Sequence, residues 1–145
     1  MKKILVATDF TPIATAALRF AGKLAEQTHA ELIALYADTF EPPAEFTARA
    51  VATVATAIGT SHVRAQEELE RCIGQNVPAS VTVRAVVVEA PPVIAIVSFA
   101  RQNGVDMIVV GTHARKGLDR LLLGSVAERV VVESPVPVLI VPPRA

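Results

Sequence analysis

Five short apolar runs, separated by segments of helical period, constrain this chain more than any other feature. Ile4-Leu5-Val6-Ala7 is continuous and stops at Thr8-Asp9, as a strand buried on both faces does. Leu32 to Ala37, Met107 to Val110 and Val136 to Val141 also read as strands, and Val81 to Val88 alternates at first and then runs fully apolar, giving the third of the five. Between them, Thr11-Pro12 offers an N-cap and a first-position proline. Residues 14–27 then place Ala17, Leu18, Ala21, Leu24 and Ala25 on one helical face. Glu41-Pro42-Pro43 opens a helical segment from residue 44 to about residue 74, in which Gly59 is expected to bend or break the helix. Pro91-Pro92 starts a helix that stops near Asn103-Gly104, and another is expected from about Gly124 to Glu133. Strands that alternate with helices make an α/β protein with a parallel sheet. At 145 residues, with no linker and no repeat, residues 1–145 are expected to form one domain.

Composition narrows the function classes. Lys and Arg together number 14, as do Asp and Glu, so no net field draws the chain to nucleic acid or to an acidic membrane. Cys72 is the lone cysteine, which excludes an internal disulfide and fits a reducing compartment; its amphipathic setting reads as a packed thiol. The apolar stretch after Lys3 is too short for a signal peptide or a membrane span. The expectation is a cytoplasmic protein with no nucleic-acid or membrane partner.

In an open α/β sheet, ligands sit beyond the carboxyl ends of the strands, where the strand order reverses. The candidate segments are Asp9 to Thr11, Asp38-Thr39, Glu89-Ala90 and Gly111 to Ser125. The last holds three of the seven glycines and the cations Arg115, Lys116 and Arg120, offset in part by Asp119. Gly124-Ser125 falls at a helix start, where unpaired N–H groups and the helix dipole favour an anion. Two readings stand side by side: a phosphate loop, or a strand end at Gly111, a turn at Gly117 and a cap at Ser125. The segment has neither the G-x-x-x-x-G-K-[ST] nor the G-x-G-x-x-G pattern. For Asp9 the structural alternative is a carboxylate bonded to nearby N–H groups.

The spacing Gly111, Ala114, Gly124-Ser125 resembles the G-x2-G-x9-G-[ST] motif of ATP-binding members of the universal stress protein family. Residues 117–131 and 135–141 are similar to that family's C-terminal signature, and residues 4–9 and 106–111 also match. The likeness covers the whole chain and is most specific from Asp106 to Val141. It implies a five-stranded parallel sheet in order 3-2-1-4-5 with helices on both faces, a flavodoxin- and Rossmann-like frame of the adenine nucleotide alpha hydrolase kind. It further implies ATP as the ligand, with or without Mg2+. Asp9 would lie near the adenine and Ala37 would offer backbone to the base. Gly111, Thr112, Ala114 and Arg115 would approach ribose and phosphates, and Gly124, Ser125 and Val126 would hold the phosphate tail. The family's habit of pairing edge strands implies a homodimer through Val136–Val141, an apolar edge that invites pairing.

Two positions depart from the family pattern. Ala114 replaces the second motif glycine, and at a positive φ an alanine costs about 1–2 kcal/mol, or about five- to thirtyfold in affinity. Glu89-Ala90-Pro91 lacks the glycine that relatives often place before the proline, but it follows strand 3, away from the switch point. His113 carries no catalytic expectation, His29 and His62 read as solvent-facing, and spacing defines no triad, metal cluster or carboxylate pair. The leading expectation is an ATP-binding regulatory module with little or no hydrolysis. The alternatives are a nucleotide-free member acting through its dimer and protein contacts, and a hydrolase or nucleotidyl-transfer enzyme, for which no base or nucleophile is identifiable.

Overall fold

A computed structural model describes residues 1–39, 48–112 and 123–143. Nine elements follow in order: β1 (Lys3–Thr8), α1 (Pro12–Thr28), β2 (Glu31–Ala37), α2 (Ala48–Asn76), β3 (Val83–Val88), α3 (Pro92–Gln102), β4 (Met107–Gly111), α4 (Ser125–Glu133) and β5 (Val138–Val141). The strands form one parallel sheet in order β3-β2-β1-β4-β5. Register runs from Lys3 opposite Glu31 to Thr8 opposite Tyr36 on one side of β1, and from Ile4 opposite Met107 on the other.

Alternate strand residues feed two apolar layers. Leu5, Ile33, Leu35, Ile108 and Val110 pack against Val93, Ile96, Val97 and Ala100 of α3 and against Ala127 and Val130 of α4. Ile4, Val6, Leu32, Ala34 and Val109 pack against Ala17, Leu18, Ala21 and Ala25 of α1 and against Leu69 and Cys72 of α2. Helices therefore cover both faces, and the central strands are sealed: Ile4, Leu5, Val6, Leu32 and Ile33 are fully buried. Each such aliphatic side chain contributes about 1.5–3 kcal/mol by leaving water.

Local chemistry sets the ends of α1. The Thr11 hydroxyl accepts from the Ala14 N–H at 3.3 Å, and Pro12 fills the first turn, where no N–H is needed. At its end, His29 takes the left-handed conformation (φ 53°) and its N–H returns to the last carbonyls. Three expectations shift. Gly59 does not break α2, which runs through it as one helix; the expected start near residue 44 lies outside the described residues. β3 begins at Val83 because Val81 donates its N–H to the Pro78 carbonyl in a turn. β5 begins at Val138 because the Ser134 hydroxyl both donates to the Val136 carbonyl and accepts from the Val136 N–H.

Candidate functional site

The carboxyl ends of β1 and β4 diverge into a cleft of about 260 Å³, just under the roughly 300 Å³ at which small-molecule pockets begin. Its floor and apolar wall come from Ala7, Leu35, Ala37, Ile96 and Val110, its rim from Thr8, Asp9 and Thr11, and its far end from Gly124 to Ala127. Of the residues expected from the sequence, Asp9, Ala37, Gly111, Gly124, Ser125 and Val126 meet here. Ala114 and Arg115 lie outside the described residues, as do His113, Lys116, Gly117, Asp119 and Arg120.

Asp9 is exposed at the rim, and its Oδ1 accepts from the Thr11 N–H at 3.1 Å and from the Thr11 hydroxyl at 2.5 Å. That turn locks Thr11 for its capping role in α1, so the structural alternative for Asp9 is realised. The second oxygen makes no hydrogen bond among the described residues, which leaves one acceptor at the cleft mouth. Next to it, Phe10 sits at φ 65°, where a bulky residue is strained. Its N–H donates to the Thr8 hydroxyl at 3.2 Å and its ring lies 4.6 Å from that of Tyr36. Burial first, then the carboxylates of Asp38 and Asp9, push the Tyr36 phenol above its ordinary range.

Gly111 has a packing reason that the sequence did not reveal. A β-carbon there would stand 2.8 Å from Ile13 Cγ2 and 3.0 Å from the Ile13 carbonyl oxygen. The glycine lets the start of α1 close over the end of β4. Thr112, whose backbone was expected to approach ribose and phosphates, is not among the residues that line the cleft. It is fully buried, its N–H donates to the Val141 carbonyl at 3.1 Å, and its hydroxyl accepts from the Gly124 N–H at 3.4 Å.

Gly124, not Ser125, is the N-cap of α4, and no side chain caps it. The first ladder bond runs from the Glu128 N–H to the Gly124 carbonyl at 2.9 Å, so the N–H groups of Ser125, Val126 and Ala127 precede the ladder. These three residues border the cleft, with the dipole end that attracts an anion. Glu128 in the same turn opposes this in part.

Sequence reasoning missed Ile13, Pro92 and Ile96, which line the cleft from helix starts and not from strand ends. The prolines flagged the helix starts, but only the packed fold turns those starts toward the crevice. Away from the cleft, the His62 Nδ1 stands 3.9 Å from the Glu89 carboxylate, and the Ser61 hydroxyl donates to Asp38 at 3.1 Å. Among the described residues no group of three or more His, Cys, Asp or Glu could hold a metal ion, and no helix is long and apolar enough to cross a membrane. The arrangement suits a flat apolar ring against the aliphatic wall and an anion at the start of α4.

Comparison with known proteins agrees with this layout. The model of the universal stress protein family matches residues 1–142. Universal stress protein MJ0531 of Methanocaldococcus jannaschii is 33% identical over 144 residues, covering 97% of this chain and 81% of that protein. The solved structure of the hypothetical protein MJ0577 superposes with a TM-score of 0.76 at 28% identity, covering 99% of this chain and 97% of the other. A universal stress protein solved in complex with cAMP gives a TM-score of 0.66 at 25% identity, over 97% of this chain and 95% of its own. The strand order and the Rossmann-like frame are those of these structures.

Proposed function

Because the chain belongs to the universal stress protein family, we propose that its cleft binds ATP and that the bound nucleotide regulates the protein in a stress response, with little or no hydrolysis. One observation carries this reading: an apolar cleft at the switch point is lined at its end by Ser125, Val126 and Ala127, the three residues whose N–H groups precede the α4 ladder. The relative solved with cAMP supports an adenine nucleotide as the ligand class. In this reading the base lies against Leu35, Ala37 and Ile96, the free oxygen of Asp9 accepts from the adenine amino group, and Gly111 lets the backbone approach the ribose. Ser125 and Val126 hold the phosphate tail from α4, joined by Ala114 and Arg115, and any Mg2+ is carried by the phosphates. Residues 1–145 act as one cytoplasmic domain, paired with a second copy through β5, without nucleic-acid or membrane partners.

Ala114 favours a second reading, a nucleotide-free protein that acts through its dimer and protein contacts. The two separate on protein purified without added nucleotide and then denatured. ATP in the supernatant, together with calorimetric binding of added ATP and no phosphate release on incubation with magnesium, supports the first. A protein that releases no nucleotide and gives no heat with ATP at millimolar concentration belongs to the second. Rapid phosphate release would make it an enzyme and refute both.

A further inference from the structure

Thr112 stands out as a polar side chain with no exposure at all, placed between two elements that both matter for the cleft. Its backbone N–H is fixed on the Val141 carbonyl of β5. Its hydroxyl reaches across twelve residues of sequence to the N–H of Gly124, the N-cap of α4. A helix start presents four N–H groups without intrahelical partners. Thr112 takes the first of them, and the remaining three belong to Ser125, Val126 and Ala127, residues that line the cleft.

We propose that Thr112 is a positioning residue for the phosphate end of the site: it fixes the first turn of α4 against β4 and β5, and so aims the three remaining N–H groups without touching the ligand. The inference rests on the nucleotide reading above and adds to it a division of labour. The part of a nucleotide held by the aliphatic wall and Asp9 does not depend on Thr112, whereas the part held by α4 does. The consequence is selective: nucleoside binding is insensitive to the Thr112 hydroxyl and nucleotide binding is sensitive to it.

The test compares wild type, Thr112→Val and Thr112→Ser by calorimetry with adenosine and with ATP. Thr112→Val keeps the shape and the backbone bond to Val141 but removes the acceptor for Gly124. At 3.4 Å the bond is long, so the expected loss of ATP affinity is modest, about two- to fivefold. Adenosine affinity stays at the wild-type value, and Thr112→Ser recovers ATP binding. Thermal unfolding confirms that each variant is folded, and Thr112→Ala, which removes the same acceptor, carries the test if Thr112→Val is not folded. Equal losses for adenosine and ATP would make Thr112 a purely structural residue and overturn the proposal, as would unchanged or tighter ATP binding in Thr112→Val. A Thr112→Ser protein that binds adenosine as wild type does but has lost ATP would also overturn it. A wild type that binds neither ligand refutes the nucleotide reading itself, and the positioning role falls with it.

Discussion

At the scale of single residues, the space around Gly111 decides how it tolerates change. The contacts that a β-carbon would make at 2.8 and 3.0 Å involve the Ile13 side chain and its carbonyl oxygen, and the backbone cannot swing away as a side chain can. Gly111→Ala is therefore expected to lower stability by about 1–3 kcal/mol, the usual range for overpacking. Urea unfolding measures this, and a change below about 0.5 kcal/mol, within the range of ordinary surface substitutions, would mean that α1 retreats freely. Asp106 gives a pH prediction. One of its oxygens accepts from the Lys2 N–H at 2.7 Å and the Lys3 N–H at 2.9 Å, and these bonds hold its carboxyl below the ordinary range. A depressed folded pKa favours the charged form, so its contribution is complete above about pH 4 and is lost as pH falls from there through the lowered value. Asp106→Asn should flatten the acid limb of a plot of Tm against pH and leave its neutral shape unchanged. An unaltered acid limb would show that the N-terminal bonds contribute nothing.

At the scale of elements, α2 passes through Gly59, and nothing lies within 4 Å of where a β-carbon would stand. Gly59→Ala fills open space on an exposed helical turn, so it should raise stability by about 0.8–1 kcal/mol. A rise in Tm checks this, and a fall would point to a contact that the helix makes elsewhere. The helix does not break at Gly59 because one interior glycine costs less than the packing of Leu69 and Cys72 returns. β1, β2 and β4 were legible as strands because their central residues form short apolar runs buried on both faces. The starts of β3 and β5 were not, since turns at Pro78 and Ser134 take the backbone groups of valines that look like strand. In the site, the rule of strand ends located Asp9 and Gly111, which is topology read directly, whereas Ala37 came from the family resemblance. The rule was silent on Ile13 and Ile96, which reach the cleft by helix packing, and it did not reveal that Thr112, inside the Gly111–Ser125 segment, is buried, because that depends on where β5 docks.

At the scale of the whole molecule, β5 is the edge of the sheet, and its outer side has a definite pattern. Ile108 donates to the Pro137 carbonyl and Thr112 to the Val141 carbonyl, so residues 137, 139 and 141 turn their peptide groups toward β4. By the alternation of a strand, Val138 and Ile140 turn theirs outward. Beside this edge, Val132 is 79% exposed and Val131 44%, more apolar surface than a lone helix end needs. The expected homodimer would use both features, with the outward peptide groups setting register and the valines supplying burial. Val138→Pro separates pairing from folding. Proline is close to valine in size, fits an edge position and removes an N–H that serves no bond within the sheet. The substituted protein should keep its circular dichroism and sediment as a monomer at concentrations where wild type is dimeric. If Val138→Pro remains dimeric, the two copies meet through another surface, and the α4 valines, tested by Val132→Glu, become the next place to look. If wild type is itself monomeric, the half-buried residues of β5 are the natural edge of a lone sheet, and the pairing reading fails.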